Sequence, residues 1–166
     1  MIEQATASDI AIMTEQLGRE LRGVVGVAAR YGDGAPAVVA TEPRLPDGSP
    51  FPTFYYLTHP GLTIAASRIE AAGRMAELAE FLDDAATLSA YEGAHRAYIA
   101  DREEYGEVAE IAGVSAGGMP TRVKCVHALI GHSLAAGRGV NPIGDTALEW
   151  MGWDWETRTL PEAASE

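Results

Sequence analysis

The hydrophobic positions of this chain change their spacing near residue 60, which divides a sheet-forming first part from a helical remainder. Residues 24–29 and 37–41 are short runs of β-branched and small apolar side chains. They are joined by Asp33-Gly34, a pair typical of hairpin turns. Residues 53–58, TFYYLT, are rich in aromatic and β-branched side chains and predict a further strand. The pattern therefore predicts a small antiparallel sheet of about three strands.

Elsewhere the apolar residues recur at spacings of three and four, as they do on one face of a helix. Ser8 or Asp9 is expected to cap a first helix that ends between Gly18 and Gly23. The later predicted helices cover residues 60–83, 86–105, 121–136 and 144–150. Strands followed by helices are typical of an α+β fold, here with four or five helices against the sheet. We expect one domain over residues 1–152 and a frayed or disordered tail over 153–166.

The helix predicted over residues 60–83 has a well-defined start. Pro60 suits the first helical position, and His59 before it is expected to cap the helix and to present its ring at a positive helix end. Glu70 and Arg74 are spaced to pair on the exposed face of this helix. Arg68, about two turns in, is either a ligand contact or a salt-bridge partner.

Composition excludes several classes of protein. A net charge of −12 opposes sequence-independent binding to nucleic acid. No run of residues approaches the roughly 20 apolar positions of a membrane span, and the first residues lack the pattern of a signal peptide. A single cysteine excludes an internal disulfide, so a cytoplasmic location is the simplest expectation.

Against this acidic background, one cluster of cations stands out. Gly117 and Gly118 precede the helix predicted to begin at residue 121, and its first turn carries Arg122 and the only lysine, Lys124. Cations at that end oppose the helix dipole, so helix stability does not explain them. Glycine amides, a helix N-terminus and two cations suit a phosphate or carboxylate ligand. Alternatively, both cations pair with acidic side chains. Arg44, in a proline-rich loop, is a further candidate contact.

Cys125 and His127 are candidates for catalysis, with His59 as the alternative base. Proximity to a helix N-terminus and to cations favours a thiolate. On a continuous helix, however, Cys125 and His127 point roughly 200° apart and cannot pair directly. We therefore interpret Cys125 as a structural, unreactive thiol and expect His127 to be held by the sheet or by the helix that starts at Pro60. Cys125 and His132 would lie about 10.5 Å apart along the axis, so no metal or other cofactor is predicted.

Trp150, Trp153 and Trp155 cluster near the C-terminus. They either dock the end of the chain on the core or form an exposed aromatic anchor for a partner. The second possibility supports a different class of function, a non-enzymatic interaction module.

Three segments are similar to a known family: PRLPDGSPFPTFYYLTHP, ASRIEAAG and GGMPTRVKCVHALIGHSLAAGRGVNPIGD. Together with the stretches between them they resemble the bacterial domain of unknown function 501 over most of residues 17–150. Leu21 departs from the proline expected in the first turn. The resemblance implies a cytoplasmic, actinobacterial-type protein whose genomic neighbours point to cell division or phosphate metabolism, and it implies no reaction. The sequence thus supports two hypotheses: a protein that binds or processes a small anion, or an interaction module with a cell-division partner.

Overall fold

The sheet is small, antiparallel and central to the fold. The computed structural model describes residues 2–162. Its strands are β1 (Val24–Arg30), β2 (Pro36–Thr41) and β3 (Tyr55–Leu57), which pair in the order β1-β2-β3. Both pairings are antiparallel. Every residue of β2 is buried, as expected for the middle strand of a sheet covered on both faces. The predicted α+β fold is confirmed.

Six α-helices surround the sheet: α1 (Ala7–Leu17), α2 (Pro60–Ala71), α3 (Met75–Glu80), α4 (Ala85–Glu103), α5 (Val126–Ala136) and α6 (Pro142–Met151). Short 3-10 turns cover Phe81–Asp83 and Ala109–Ile111. Within residues 2–162, no helix combines the length and the apolar character that a bilayer crossing requires.

The two faces of the sheet have separate cores, as the alternation of side chains along a strand requires. Val27 and Val39 face Met13 of α1 in the smaller core. Val38 and its neighbours face the larger core, to which α2, α4, α5 and α6 contribute. Helix α5 lies especially close to β3, because a Cβ added at Gly131 would meet the Tyr55 carbonyl oxygen at 3.1 Å. The middle of α5 therefore lies beside the edge strand β3.

Two predicted helices have different bounds from those expected. The helix predicted over 60–83 ends at Ala71 and restarts at Met75, because Gly73 between them has a left-handed backbone with φ of 72°. The helix predicted from 121 begins only at Val126. Cys125 before it is extended, with φ of −143° and ψ of 107°.

The described part of the predicted tail lies against the sheet. Trp153 is buried and Trp155 packs with the larger core. Gly32 N donates to the Arg158 carbonyl at 2.8 Å, and Leu160 N donates to the Tyr31 hydroxyl at 2.9 Å. Of the two interpretations of the tryptophans, docking on the core is confirmed for Trp153. Residues 163–166 lie outside the described residues.

Candidate functional site

The glycine loop before α5 is shaped by contacts with its own chain. Gly117 and Gly118 both have positive φ, 68° and 98°. The Gly117 carbonyl accepts from Lys124 N at 2.7 Å and from Cys125 N at 3.3 Å. A Cβ at Gly118 would lie 2.6 Å from the Arg122 carbonyl oxygen. Both glycines are needed to close this loop, which presents Cys125 directly before the first turn of α5.

Cys125 lies beside His127 and Glu70, although the three residues come from two segments. The cysteine sulfur, one ring nitrogen of His127 and one carboxylate oxygen of Glu70 all lie within 4.8 Å of one another. The prediction that Cys125 and His127 point apart is wrong, because it assumed that the helix already includes Cys125. With Cys125 extended, its side chain turns back toward the ring two residues later.

Glu70 holds the start of α5 from the neighbouring helix α2. Its Oε1 accepts from Val126 N at 3.1 Å and lies 3.0 Å from His127 Nδ1. One carboxylate oxygen thus satisfies a free N–H of the helix end and orients the imidazole, since a carboxylate accepts the Nδ1 proton. The predicted Glu70–Arg74 pair is not formed: Arg74 instead pairs with Glu77 and lies over the Trp150 ring. His127 is held by α2, as expected.

Ser67 completes a polar row on α2. Its Oγ lies 3.3 Å from His127 Nε2. Ser67 and Glu70 are three residues apart and so share one face of α2, with the imidazole between them. Both ring nitrogens of His127 therefore have a neighbour on the same helix, which fixes the orientation of the ring.

The protonation of this cluster follows from its contacts. The neighbouring His127 side chain lowers the pKa of Cys125, while burial and the Glu70 carboxylate act in the opposite direction. The thiol in turn raises the pKa of His127 to about 9, with a further contribution from Glu70 and an opposing one from burial. These opposite shifts favour a thiolate beside an imidazolium, the active form of a cysteine nucleophile. The position at a helix N-terminus also favours the thiolate.

A cavity of about 540 Å³ opens beside Cys125 and His127. We call it the Cys125 cavity. Its walls come from the end of α1, from residues 53–58 around β3, and from the starts of α2 and α5. Gly117 also lines it. Its volume is within the range of small-molecule sites, roughly 300–1,000 Å³. The thiol therefore borders a space large enough for a substrate.

Cys125, His127 and Glu70 are also the residues, among those that the structure describes, that could share a metal ion. A tetrahedral zinc ion with bonds of about 2.0–2.3 Å would hold its ligand atoms about 3.3–3.7 Å apart. The cluster, at up to 4.8 Å, would have to contract. The expectation of no metal partly assumed that His127 points away from Cys125, and that assumption is wrong. The absence of zinc or iron stays a prediction, to be checked by elemental analysis of the purified protein.

His59 lies apart from this cluster and has its own contacts. It caps α2 as predicted, with Nδ1 accepting from Gly61 N at 3.2 Å. Its ring stacks on Tyr31 with centroids 4.0 Å apart. Burial lowers the pKa of His59. His132 is not part of this cluster either, because it is fully buried between Tyr55 and Tyr98.

The predicted ligand-binding cations are spread over the surface. Arg44 pairs with Glu110 at 2.9 Å. Arg68, Arg122 and Lys124 are exposed, and none of the three forms an ion pair within residues 2–162. Arg122 and Lys124 therefore do not pair with the acidic residues that the structure describes, but they also do not occupy a first helical turn. They lie in the loop before α5, so they do not oppose the helix dipole in the way that the sequence analysis expected.

Sequence reasoning missed Glu70 and Ser67. The sequence contained a weak signal for them in SRIEAAG, where a serine and a glutamate lie three residues apart on a predicted helix. Many exposed helices have such pairs, so the spacing alone does not distinguish a site. The approach of α5 to α2 gives this pair its significance.

Comparison with known proteins gives a family and no activity. Searches of curated proteins and of solved structures each found no match. A family profile described as Protein of unknown function (DUF501) matches residues 27–149, which include β2, β3, α2, the glycine loop and α5. Cys125, His127, Glu70 and Ser67 all lie within the matched region. Because the match covers well over half of the sequence, the chain belongs to the DUF501 family of proteins of unknown function.

Proposed function

We propose that the protein is an enzyme that uses Cys125 as a nucleophile in acyl transfer or hydrolysis of a small molecule. The observation that carries this proposal is the Cys125–His127–Glu70 cluster at the Cys125 cavity. It contains a nucleophile, a base within reach and a carboxylate that orients the base, which are the parts that covalent catalysis requires.

In the proposed reaction, the Cys125 thiolate attacks the carbonyl carbon of an acyl substrate. A carbon–sulfur bond forms, the bond to the leaving group breaks, and the leaving group takes the proton from His127. Water then attacks the thioester, with the neutral His127 accepting a proton from it, and the thiolate is released. Glu70 acts as a positioning residue, because its carboxylate holds Nδ1 and stabilises the imidazolium.

Ser67 is a less suitable nucleophile than Cys125. Its hydroxyl also contacts His127, but it lies in the middle of α2, where the backbone N–H groups are used within the helix. Cys125 instead precedes the first turn of α5, where the N–H groups that follow Val126 can stabilise the oxyanion that develops on the substrate. The cavity is lined by Cys125 and not by Ser67.

The predicted anion site becomes part of this proposal. Arg122 and Lys124, exposed and without an ion pair among the described residues, would hold a phosphate or carboxylate of the substrate outside the cavity. A cytoplasmic location and an actinobacterial-type source belong to the same proposal. The alternative, an interaction module for a cell-division partner, has less support because Trp153 is buried and cannot serve as its anchor.

The proposal is tested with p-nitrophenyl acetate, an activated acyl donor. The expected result is an acetyl group on Cys125 in the intact protein, detected by mass spectrometry and located by peptide mapping. Cys125→Ser should abolish the adduct at this position. His127→Gln should slow its formation strongly and Glu70→Gln more weakly, since Glu70 acts through His127.

His59→Gln is the matched control, because it removes a histidine of similar burial that lies outside the cluster. It should acetylate at the wild-type rate. If Cys125 is not acetylated, or if it is acetylated equally fast in His127→Gln, the proposed function is incorrect.

A further inference from the structure

Cys125, His127 and Glu70 have a second property that the proposed reaction does not use, because together they form a ligand set for a thiophilic metal ion. A thiolate, an imidazole and a carboxylate are the ligands that zinc binds in proteins. The thiolate and the carboxylate carry two negative charges, which balance the charge of Zn²⁺. Magnesium and calcium instead prefer sets made of oxygen atoms. The chemistry of the cluster therefore favours zinc.

Two of the ligand groups already have a spacing close to that of a zinc site. His127 Nδ1 lies 3.0 Å from Glu70 Oε1. A tetrahedral zinc ion with bonds of about 2.0 Å would hold such a pair about 3.3 Å apart. Cys125 Sγ lies within 4.8 Å of a ring nitrogen and of a carboxylate oxygen of these residues. Zinc would hold the sulfur about 3.5 Å from the nitrogen, so the sulfur has to approach by at most about 1.3 Å.

The ligand groups are accessible, and the sulfur is free to make this approach. The side chains of His127 and Glu70 are 29% and 34% exposed, and Cys125 is half-buried beside the cavity. The Cys125 side chain makes no capping hydrogen bond, so no such contact opposes its rotation. Glu70 Oε2 forms no hydrogen bond within residues 2–162 and can bind a metal while Oε1 keeps its bond to Val126 N.

A zinc ion in this cluster would displace the proton of His127 and face the cavity. Metals bind the neutral imidazole, so the proton held beside the thiolate is released to solvent when the ion binds. Cys125 and His127 line the Cys125 cavity, which therefore offers the fourth, open position of the ion. Three ligands that must contract bind more weakly than a closed set of four. The ion should exchange readily, in agreement with a protein that is purified without stoichiometric zinc.

We propose that Zn²⁺ binds reversibly to Cys125, His127 and Glu70 and blocks the thiol. The metal takes the electron pair with which the sulfur would attack an acyl carbon, so neither acylation nor alkylation begins while the ion is bound. The regulatory consequence rests on the proposed function, because it needs a reactive Cys125. The binding of zinc itself does not rest on it.

Alkylation by iodoacetamide with and without Zn²⁺ tests the proposal. The protein is first treated with a chelator and desalted, and the rate is followed by intact mass. We expect about 50 µM Zn²⁺ to slow alkylation of Cys125 at least about tenfold, the effect of a dissociation constant of about 5 µM. EDTA should restore the rate. Mg²⁺ and Ca²⁺ at the same concentration should leave it unchanged.

Glu70→Gln distinguishes a three-ligand site from simple binding of zinc to the thiol. The amide is a poor zinc ligand, so this variant should need at least about tenfold more zinc for the same fractional protection. Glu92→Gln is the matched control, since Glu92 is also half-buried on a helix but lies outside the cluster. It should respond as the wild type does. Comparing rates with and without zinc within each protein cancels its intrinsic reactivity. Equal protection in Glu70→Gln and the wild type would overturn the proposal.

Co²⁺ gives a measurement that does not depend on the reactivity of the thiol, because it binds the same kinds of ligand as zinc. A cobalt–thiolate bond produces a charge-transfer absorption in the near ultraviolet. The wild type should gain this band, and Cys125→Ser should lack it. Protection absent with zinc, or the band absent with cobalt, would overturn the proposal even if p-nitrophenyl acetate acetylates Cys125. If the band appears and no acetyl group forms, the metal site stands and the proposed function is incorrect.

Discussion

Helices α2 and α5 begin at residues with chemically active side chains, and the two helix ends use these side chains in opposite ways. At α2, the His59 ring itself accepts a hydrogen bond from Gly61 N and stacks on Tyr31. At α5, the Cys125 side chain makes no capping hydrogen bond, and Glu70 from α2 accepts from Val126 N instead.

The comparison shows that capping by a second segment leaves a side chain available for chemistry. The first N–H groups of any helix need acceptors from outside the helix. His59 supplies one from its own ring, so that nitrogen is committed to the structure of α2. Because Glu70 supplies the acceptor at α5, the Cys125 thiol remains free to interact with His127 and to face the cavity. Four predictions test this difference, in order of decreasing effect.

Thiol reactivity should depend on His127 and not on His59. An ordinary thiol with a pKa of about 8.5 is only about 3% thiolate at pH 7. Removing the imidazolium in His127→Gln should therefore slow alkylation by iodoacetamide up to about thirtyfold, measured by intact mass over time. His59→Gln should change the rate by less than about twofold. A slow reaction in the wild type would instead support the structural interpretation of Cys125, and a strong effect of His59→Gln would favour His59 as the base.

The pH profile of alkylation by iodoacetamide should differ between the wild type and His127→Gln. The His127 side chain lowers the pKa of Cys125, so in the wild type the thiolate should form at a lower pH than in His127→Gln. The imidazolium persists until the pH approaches about 9, the pKa of His127. The rise of the alkylation rate with pH should therefore begin at a lower pH in the wild type than in His127→Gln, whose rate should increase by up to about tenfold per pH unit below the pKa of an ordinary thiol. Coincident profiles in the two proteins would show that the thiol and the imidazole do not interact.

The free energy of unfolding should depend more on His59 than on Cys125. His59→Ala removes both the cap of α2 and the stacking on Tyr31 and should lower the free energy of unfolding by about 1–2 kcal/mol. Cys125→Ser should change it by less than about 0.5 kcal/mol, since Glu70 still caps α5. Urea denaturation with unchanged slopes is the appropriate measurement. A larger loss for Cys125→Ser than for His59→Ala would mean that Cys125 is primarily a packing residue.

The smallest effect concerns the exposed cations before α5. At a concentration near its dissociation constant, a phosphate bound by Arg122 and Lys124 should raise the melting temperature by only about 1 °C beyond the general effect of salt. The double variant Arg122→Ala, Lys124→Ala should lose this increment. Arg96→Ala, which removes an exposed arginine from α4, should keep it. An equal shift in all three proteins would remove the support for an anion site in this loop.

The sequence by itself determined those parts of the protein that depend on local chemistry. The apolar runs and the Asp33-Gly34 turn were sufficient for the β1–β2 hairpin, because strand pairing follows from side-chain alternation and turn type. His59-Pro60 was sufficient for the start of α2, because proline and a capping side chain act within one turn. The sequence also marked Cys125 and His127 as unusual, although it could not relate one to the other.

The tertiary structure decided where α5 begins, and with it the site. The residues from Thr121 to Cys125 include no strong helix stop, so sequence periodicity extended the helix back over them. Hydrogen bonds from Lys124 N and Cys125 N to the Gly117 carbonyl hold this stretch as a loop, and Glu70, on another helix, caps Val126. Both contacts depend on chain segments brought together by folding, with Glu70 separated from Val126 by 56 residues. A shift of five residues in the start of one helix, from 121 to Val126, therefore converts a predicted inert thiol into one that faces an imidazole.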